Sequence, residues 1–448
     1  MAACNLLSVR TEIAELETAR DIGRVCAVES NLLRVRGLGG LARVGDCLRV
    51  ETSLRVCLTG EVIQLHGAEV SVLPDGVPDG VAIGDRVRLL GPQKLSPSDS
   101  WLGRIVDANG DAMDGFPLLG GVSPVDIKRK PLIATRRKAL GERLETGSPI
   151  FNTVLPVVRG QRIGLFAGSG VGKSSLIADL ARRMTADLVV IALVGERGRE
   201  IREFVEDVLG PEGLSRSVVV AATSDQPPTY RKRCALTAMA IAEHFRDEGR
   251  HVLLLMDSVT RFAEAHREIA VAAGEMPALR GYPASTAHTI MSLCERAGPG
   301  EDGGGDITAV FSVLVAGSDL EEPIADILRG ALDGHIVLDR KIAERGRYPS
   351  VDIVKSVSRS LPGAANEHEN AIISEIRGLL GAYEDSEMMI KSGLYSEGSD
   401  LQVDKALRLW PELEKFWASR KSTATASCFA QLGLLLRRAS SPVNEAAR

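Results

Sequence analysis

The hydrophobic positions of this chain change their period twice. Between residue 22 and about residue 93, short runs alternate apolar and polar residues and are parted by glycine-rich turns. The runs cover 24–28, 32–36, 47–50, 59–65, 69–73 and 86–90. A two-residue period sends one set of side chains inward, so six such strands predict a small β-barrel. Farther along, the apolar runs become continuous and alternate with helical stretches: strands at 163–166, 188–195, 217–223, 251–257, 307–317 and 335–339, helices at 200–209 and 228–247. Strands buried on both faces lose their alternation, which predicts a mostly parallel sheet covered by helices. After Leu361-Pro362-Gly363 a helical period takes over at 367–380, 385–392, 400–416 and 422–438, with Ile372, Ile376, Leu379 and Leu380 on one stripe. That predicts a small helical domain. Residues 1–20 carry a loose amphipathic pattern (Leu6, Leu7, Val9, Ile13, Leu16), which suits a first helix, a frayed tail or a surface-binding helix.

Between the barrel and the continuous strands, residues 92–149 are rich in glycine, proline and charge and read as a connector. Its basic run at 126–131 reads as a solvated linker, with a partner contact as the alternative.

The chemistry concentrates at 161–175, QRIGLFAGSGVGKSS. An apolar strand enters a glycine-rich turn, and a helix opens at Lys173. This is the order of a P-loop, in which backbone N–H groups and a helix N-terminus cradle phosphate. The first motif position is Ala167, small but not glycine. Gly168, Ser169, Gly170, Val171 and Gly172 form the cradle, followed by Lys173, Ser174 and Ser175. Lys173 is expected on the β- and γ-phosphates and Ser174 on Mg²⁺. Asp257 ends the run HVLLLMD as a Walker B aspartate does, giving a second candidate ligand for Mg²⁺. In Gly195-Glu196-Arg197-Gly198, Glu196 is the candidate to align or deprotonate water, and Arg197 offsets developing charge. The competing role for Glu196 is a carboxylate facing a helix N-terminus. In such a sheet the ligand site belongs at the carboxyl ends of the strands.

Composition narrows the field. At 448 residues the chain calls for two or three domains. A net charge of -5 offers no whole-chain attraction for nucleic acid. No Phe, Tyr or Trp precedes Trp101, so the barrel lacks the stacking platforms that single strands need. Seven scattered cysteines without a Cys-x-x-Cys pair suit a reducing compartment. No apolar run reaches the ~18–20 residues of a membrane span, and no cleavable secretion signal is expected at the N-terminus.

Together with these motifs, the segments SDQPPTYRKRCALTAMAIAEHFRDEG, GYPAS, DLEEPIADILRGALDGHIVLDRKIAERGRYPSVDIVKSVSR and GLYSEGSDLQVDKAL resemble the ATPase of the flagellar type III protein export apparatus. That family is in turn similar to the catalytic subunits of rotary ATP synthases. The resemblance runs from about Asp21 to Leu409. It implies an α/β fold: a RecA-like P-loop core at 96–362, an N-terminal barrel at 21–95 and a helical C-terminal domain at 363–448, with residues 1–20 as a helix or tail. It implies a cytoplasmic homohexamer that hydrolyses ATP with Mg²⁺ and sits peripherally on the inner membrane at the export gate. Stalk and regulator proteins, export substrates and chaperones are its implied partners, and nucleic acid is not. By the same resemblance Arg197 and Arg261 lie near the γ-phosphate, Tyr348 stacks on adenine and Arg359 is a finger supplied across the subunit interface. From the residues alone, an intrachain salt bridge competes for Arg359 and a core role for Tyr348. The glycine-rich stretch 298–305 is expected to be a flexible loop. The neighbouring readings are a virulence-type secretion ATPase and a rotary synthase subunit. More distant ones are an RNA-translocating hexamer, which should carry stacking aromatics, and a non-catalytic ring subunit, which should lack Glu196.

Overall fold

The computed structural model describes residues 21–29, 31–52, 57–315, 321–419 and 424–440. The expected N-terminal helix lies outside them. The barrel is built from β1 (Ile22–Glu29), β2 (Leu32–Arg36), β3 (Cys47–Glu51), β4 (Cys57–His66), β5 (Glu69–Pro74) and β6 (Arg86–Gly91). Antiparallel pairing in the order β1-β2-β5-β4-β3-β6 closes on itself, so all six expected strands form and none is left with a free edge. Val25, Leu33, Val35, Leu48, Val50, Val70, Val72 and Val87 fill the interior, all essentially inaccessible. Each contributes about 1.5–3 kcal/mol of burial.

The connector is not a solvated linker. Within it, β7 (Lys94–Leu95) pairs with β9 (Val125–Asp126), and β8 (Ile105–Val106) joins the main sheet as its last strand. Trp101, Val106 and Ile127 are buried. The basic run is docked rather than free, because Lys128 binds Glu61 of the barrel at 2.5 Å and Arg129 binds Asp247 of the core at 2.8 Å. Carboxylates distant in sequence receive these charges, and the run itself gives no sign of them.

The core then follows as β10 (Arg162–Ala167), α1 (Lys173–Arg183), β11 (Leu188–Glu196), α2 (Gly198–Glu203), α3 (Gly210–Ser215), β12 (Ser217–Thr223), α4 (Pro228–Asp247), β13 (His251–Asp257), α5 (Val259–Ala272), α6 (Ser285–Arg296), β14 (Gly298–Pro299), β15 (Asp306–Leu314), α7 (Pro323–Ala331), β16 (Gly334–Leu338), α8 (Arg340–Glu344) and β17 (Val351–Ser358). A π-helical turn at Phe204–Leu209 bridges α2 and α3, so the single helix expected at 200–209 is longer and irregular. The sheet order is β17-β16-β10-β15-β13-β11-β12-β8. Only β17 and the short β14 run antiparallel. Alternate residues of each central strand feed two cores. Val189, Ile191 and Leu193 of β11 face the side of α1, and Val190, Ala192 and Val194 face α4.

The stretch at 298–305 is a packed turn rather than a flexible loop. A Cβ on Gly305 would sit 1.8 Å from the Arg250 carbonyl. Lys138 also donates to Gly304 O at 2.8 Å, and Asp306 accepts from the Gly300 N–H at 3.1 Å. Gly300 and Gly305 answer close approach, not a need for motion.

Three helices complete the chain: α9 (Glu367–Lys391), α10 (Leu401–Trp417) and α11 (Thr425–Ser440). Asn366 and Glu369 cap α9 reciprocally. The break expected between residues 380 and 385 is absent. Tyr383 stacks on Trp410 of α10 with ring centroids 4.1 Å apart, which offsets the helix-weakening Gly381. Ile372, Ile376, Leu379 and Leu380 are buried as their spacing requires.

Candidate active site

The phosphate loop, Lys173, Ser174, Glu196, Arg197 and Arg261 gather at the carboxyl ends of β10, β11 and β13, around a cleft of about 920 Å³. The phosphate loop leaves β10 at Ala167. Gly170 and Gly172 take φ of 75° and 87°, conformations that favour glycine, and Gly172 opens α1. Two side chains brace the loop from outside. Ser350 Oγ donates to Val171 O at 2.6 Å, and Arg340 Nη2 donates to Ser169 O at 3.2 Å.

Lys173 reaches across to the Asp257 carboxylate, and both side chains are largely buried. The Ser312 hydroxyl of the adjacent strand β15 donates to the same Asp257 oxygen at 2.7 Å. Glu196 ends β11, half-buried. Burial, and then the Asp257 carboxylate, push its carboxyl above the usual glutamate range, while Lys173 and Arg261 pull the other way. Ser174, Glu196 and Asp257 also line a smaller cavity of about 200 Å³ that adjoins the cleft.

Arg197 and Arg261 face the same cleft. Arg197 is exposed and pairs with Glu200 at 3.3 Å. Arg261 sits in the first turn of α5, capped by Ser258, and its Nη1 donates to Glu264 at 3.0 Å. Tyr348 is 40% exposed, which sets aside the core role. Its ring lies against Gly172, where a Cβ would come within 3.0 Å. It lines a side cavity of about 230 Å³ with Gly147, Ser148, Leu176, Pro349 and Ser419.

Arg359 is the residue the chain does not bring to its own cleft. It follows β17, which runs antiparallel to β16 and so away from the phosphate loop. Its Nη2 donates to Arg329 O at 3.0 Å, and among the described residues no carboxylate pairs with it.

Sequence reasoning missed Ser312, Ser350, Glu264 and Arg340. Ser312 sits inside an apolar run and becomes visible only through strand order. Arg340 directly follows the strand expected at 335–339, so the rule that sites lie beyond strand ends could have found it.

A phosphate loop, a strand-end aspartate and a strand-end glutamate on one parallel sheet, between a barrel and a helical domain, define a RecA-like P-loop ATPase. The family described as the ATP synthase alpha/beta family, nucleotide-binding domain, matches residues 147–358. The T3SS EscN ATPase C-terminal domain matches residues 365–426. The chain is 46% identical over 427 residues to the flagellum-specific ATP synthase of Caulobacter vibrioides, covering 93% of this chain and 96% of that one. It is 41% identical to that of Salmonella typhimurium, covering 90% and 91%. Among solved structures, the assembled ATPase EscN from the enteropathogenic E. coli type III secretion system superposes with a TM-score of 0.83 at 34% identity, over 92% of this chain and 100% of that one. EscN in complex with its central stalk EscO gives the same values. The chain belongs to the flagellum-specific ATP synthase family.

Proposed function

We propose that this chain hydrolyses ATP in a homohexameric ring that assists protein export through the flagellar type III apparatus. The carrying observation is that Lys173 and Glu196 line one cleft and Asp257, bonded to Lys173, lines the adjoining cavity with Glu196, while Arg359 stays at the far end of the sheet. Gly168 to Ser175 cradle the phosphates. Lys173 exchanges its carboxylate partner for phosphate oxygens, Glu196 aligns and deprotonates the attacking water, and Arg197 and Arg261 offset charge on the γ-phosphate. Tyr348 stacks on adenine. Arg359 of a neighbouring subunit completes the site, so that turnover depends on assembly.

A hydroxyl and a carboxylate are the hard oxygen donors that Mg²⁺ prefers, and here both border one cavity beside the phosphate loop. Ser174 and Asp257 would hold the ion, which neutralises phosphate charge when bound with ATP. The EscN structures support self-association and a stalk partner in this chain as well. Higher identity to the flagellar relatives than to EscN favours the flagellar role over a virulence system. The ring works in the cytoplasm, peripheral to the inner membrane, and takes regulators, chaperones and export substrates as partners. No helix among the described residues is long and apolar enough to cross a membrane.

The test compares wild type with Glu196→Gln. Purified wild type should release phosphate from ATP in a Mg²⁺-dependent way. Glu196→Gln should bind nucleotide normally and lose about 10²–10⁴ in turnover. In a non-motile strain lacking its own copy, only wild type should restore substrate export and swimming. Wild type without Mg²⁺-dependent turnover would remove the ATPase reading, and export restored equally by both would remove the energetic role.

A further inference from the structure

Arg347 precedes Tyr348 in sequence but points into the protein, where it is 6% exposed. Its Nη1 donates to Pro349 O at 3.1 Å and its Nη2 to Val351 O at 2.9 Å. One guanidinium thus holds the backbone of the turn that presents Tyr348. The same group reaches the helical domain. Arg347 Nε lies 3.2 Å from Glu414 Oε2, and the guanidinium carbon sits 5.8 Å from the centre of the Trp417 ring. Both partners belong to α10. Two residues beyond Trp417, Ser419 lines the side cavity together with Tyr348. Arg347 therefore contacts both the turn beside the phosphate loop and α10.

At this joint Arg347 Nε, Trp417 Nε1 and Glu414 Oε1 are buried and make no hydrogen bond among the described residues, so the Arg347–Glu414 contact is an ion pair without an aligned hydrogen bond through Nε.

We propose that Arg347 is a positioning residue that couples ATP affinity to the seating of the helical domain, by tying the Tyr348 turn to Glu414 and Trp417. The proposal rests on Tyr348 as the adenine contact. Because coupling is reciprocal, nucleotide binding biases α10 by as much as a displacement of α10 biases nucleotide binding.

The experiment uses the full chain. Arg347→Met should raise KM for ATP about tenfold and leave kcat within about twofold. Arg347→Lys should fall between, since it keeps the charge and loses the planar fork. Arg347→Met leaves the half-buried Glu414 without its partner, so Arg347→Met/Glu414→Leu is measured beside it. That double variant should regain thermal stability and keep the raised KM. Tryptophan emission supplies a separate readout. Saturating ADP should shift emission in wild type, in Trp417→Phe the shift should vanish, and it should also vanish in Arg347→Met. A wild-type KM in Arg347→Met, a surviving emission shift, or recovery of KM in the double variant each overturns the proposal. Tyr348→Ala separates the two failures. If it leaves KM unchanged, the adenine contact falls and the coupling with it; if it raises KM while Arg347→Met does not, only the coupling falls.

Discussion

Arg359 and Lys173 stand at opposite ends of one strand. The Arg359 N–H binds Asp333 O at 3.0 Å, and Asp333 accepts from the N–H of Arg162, the first residue of β10, also at 3.0 Å. Lys173 lies beyond the other end, past Ala167, after roughly 17 Å of strand. No side-chain swing closes that gap, so an arginine finger at this position must serve another subunit.

This geometry predicts complementation between two inactive proteins. Arg359→Ala alone should lose about 10³-fold or more in turnover. Mixed in equal amounts with Glu196→Gln, it should recover about a quarter of wild-type activity if neighbours assort at random in a ring. Steady-state phosphate release against mixing ratio measures this. A mixture as inactive as its parts would place the finger elsewhere.

The environment of Glu196 predicts two pH effects. A base with a raised pKa loses its proton-accepting form as pH falls through that pKa, so the acid limb of the kcat profile should lie above the ordinary glutamate value of about 4.3. The stability effect follows from linkage. The folded pKa exceeds the unfolded one, so the folded state is not penalised below the unfolded pKa. The penalty grows as pH rises toward the folded pKa and is constant above it. Glu196→Gln should therefore melt higher than wild type at pH 8 and with little difference at pH 4. Thermal unfolding at the two pH values decides, and a larger gain at pH 4 would contradict burial of the carboxylate as the cause.

Tyr348 predicts a split between affinity and rate. Base–aromatic stacking is worth about 1–3 kcal/mol, so Tyr348→Ala should raise KM for ATP roughly tenfold with a small change in kcat. Tyr348→Phe keeps the ring and should stay within about twofold of wild type. Initial rates over a range of ATP concentrations measure both. Equal KM values for alanine and phenylalanine would move the base to another surface.

Gly305 and Gly303 predict opposite tolerance within one turn. A methyl group at Gly305 meets the Arg250 backbone, so Gly305→Ala should cost about 1–3 kcal/mol or more. Gly303 has open space around it and φ of 83°, which asparagine accepts at little cost, so Gly303→Asn should unfold like wild type. Thermal unfolding of the pair tests this, and equal tolerance at both positions would indicate general flexibility.

The elements that periodicity reveals were legible. All six barrel strands, helix Pro228–Asp247 and strand His251–Asp257 fall where the sequence places them, because each buries a face that its own residues declare. The phosphate loop and the two strand-end carboxylates were legible for a similar reason, since their chemistry is local. What long-range partners decide stayed hidden. The docking of Lys128 and Arg129 depends on Glu61 and Asp247, and the continuity of α9 through Gly381 depends on the Tyr383–Trp410 stack. Ser312 reaches Asp257, and Arg340 joins the cleft, only once strands β13, β15, β10 and β16 are placed in their sheet order.

The aliphatic barrel interior has one more consequence. The three tryptophans are Trp101, Trp410 and Trp417, and no aromatic residue precedes the first. Fluorescence and near-ultraviolet dichroism are therefore blind to the barrel, whose melting registers only in backbone signals such as far-ultraviolet dichroism or amide exchange. A denaturation curve that ends earlier by tryptophan emission than by backbone signal would record a barrel outlasting the tryptophan-bearing parts of the chain.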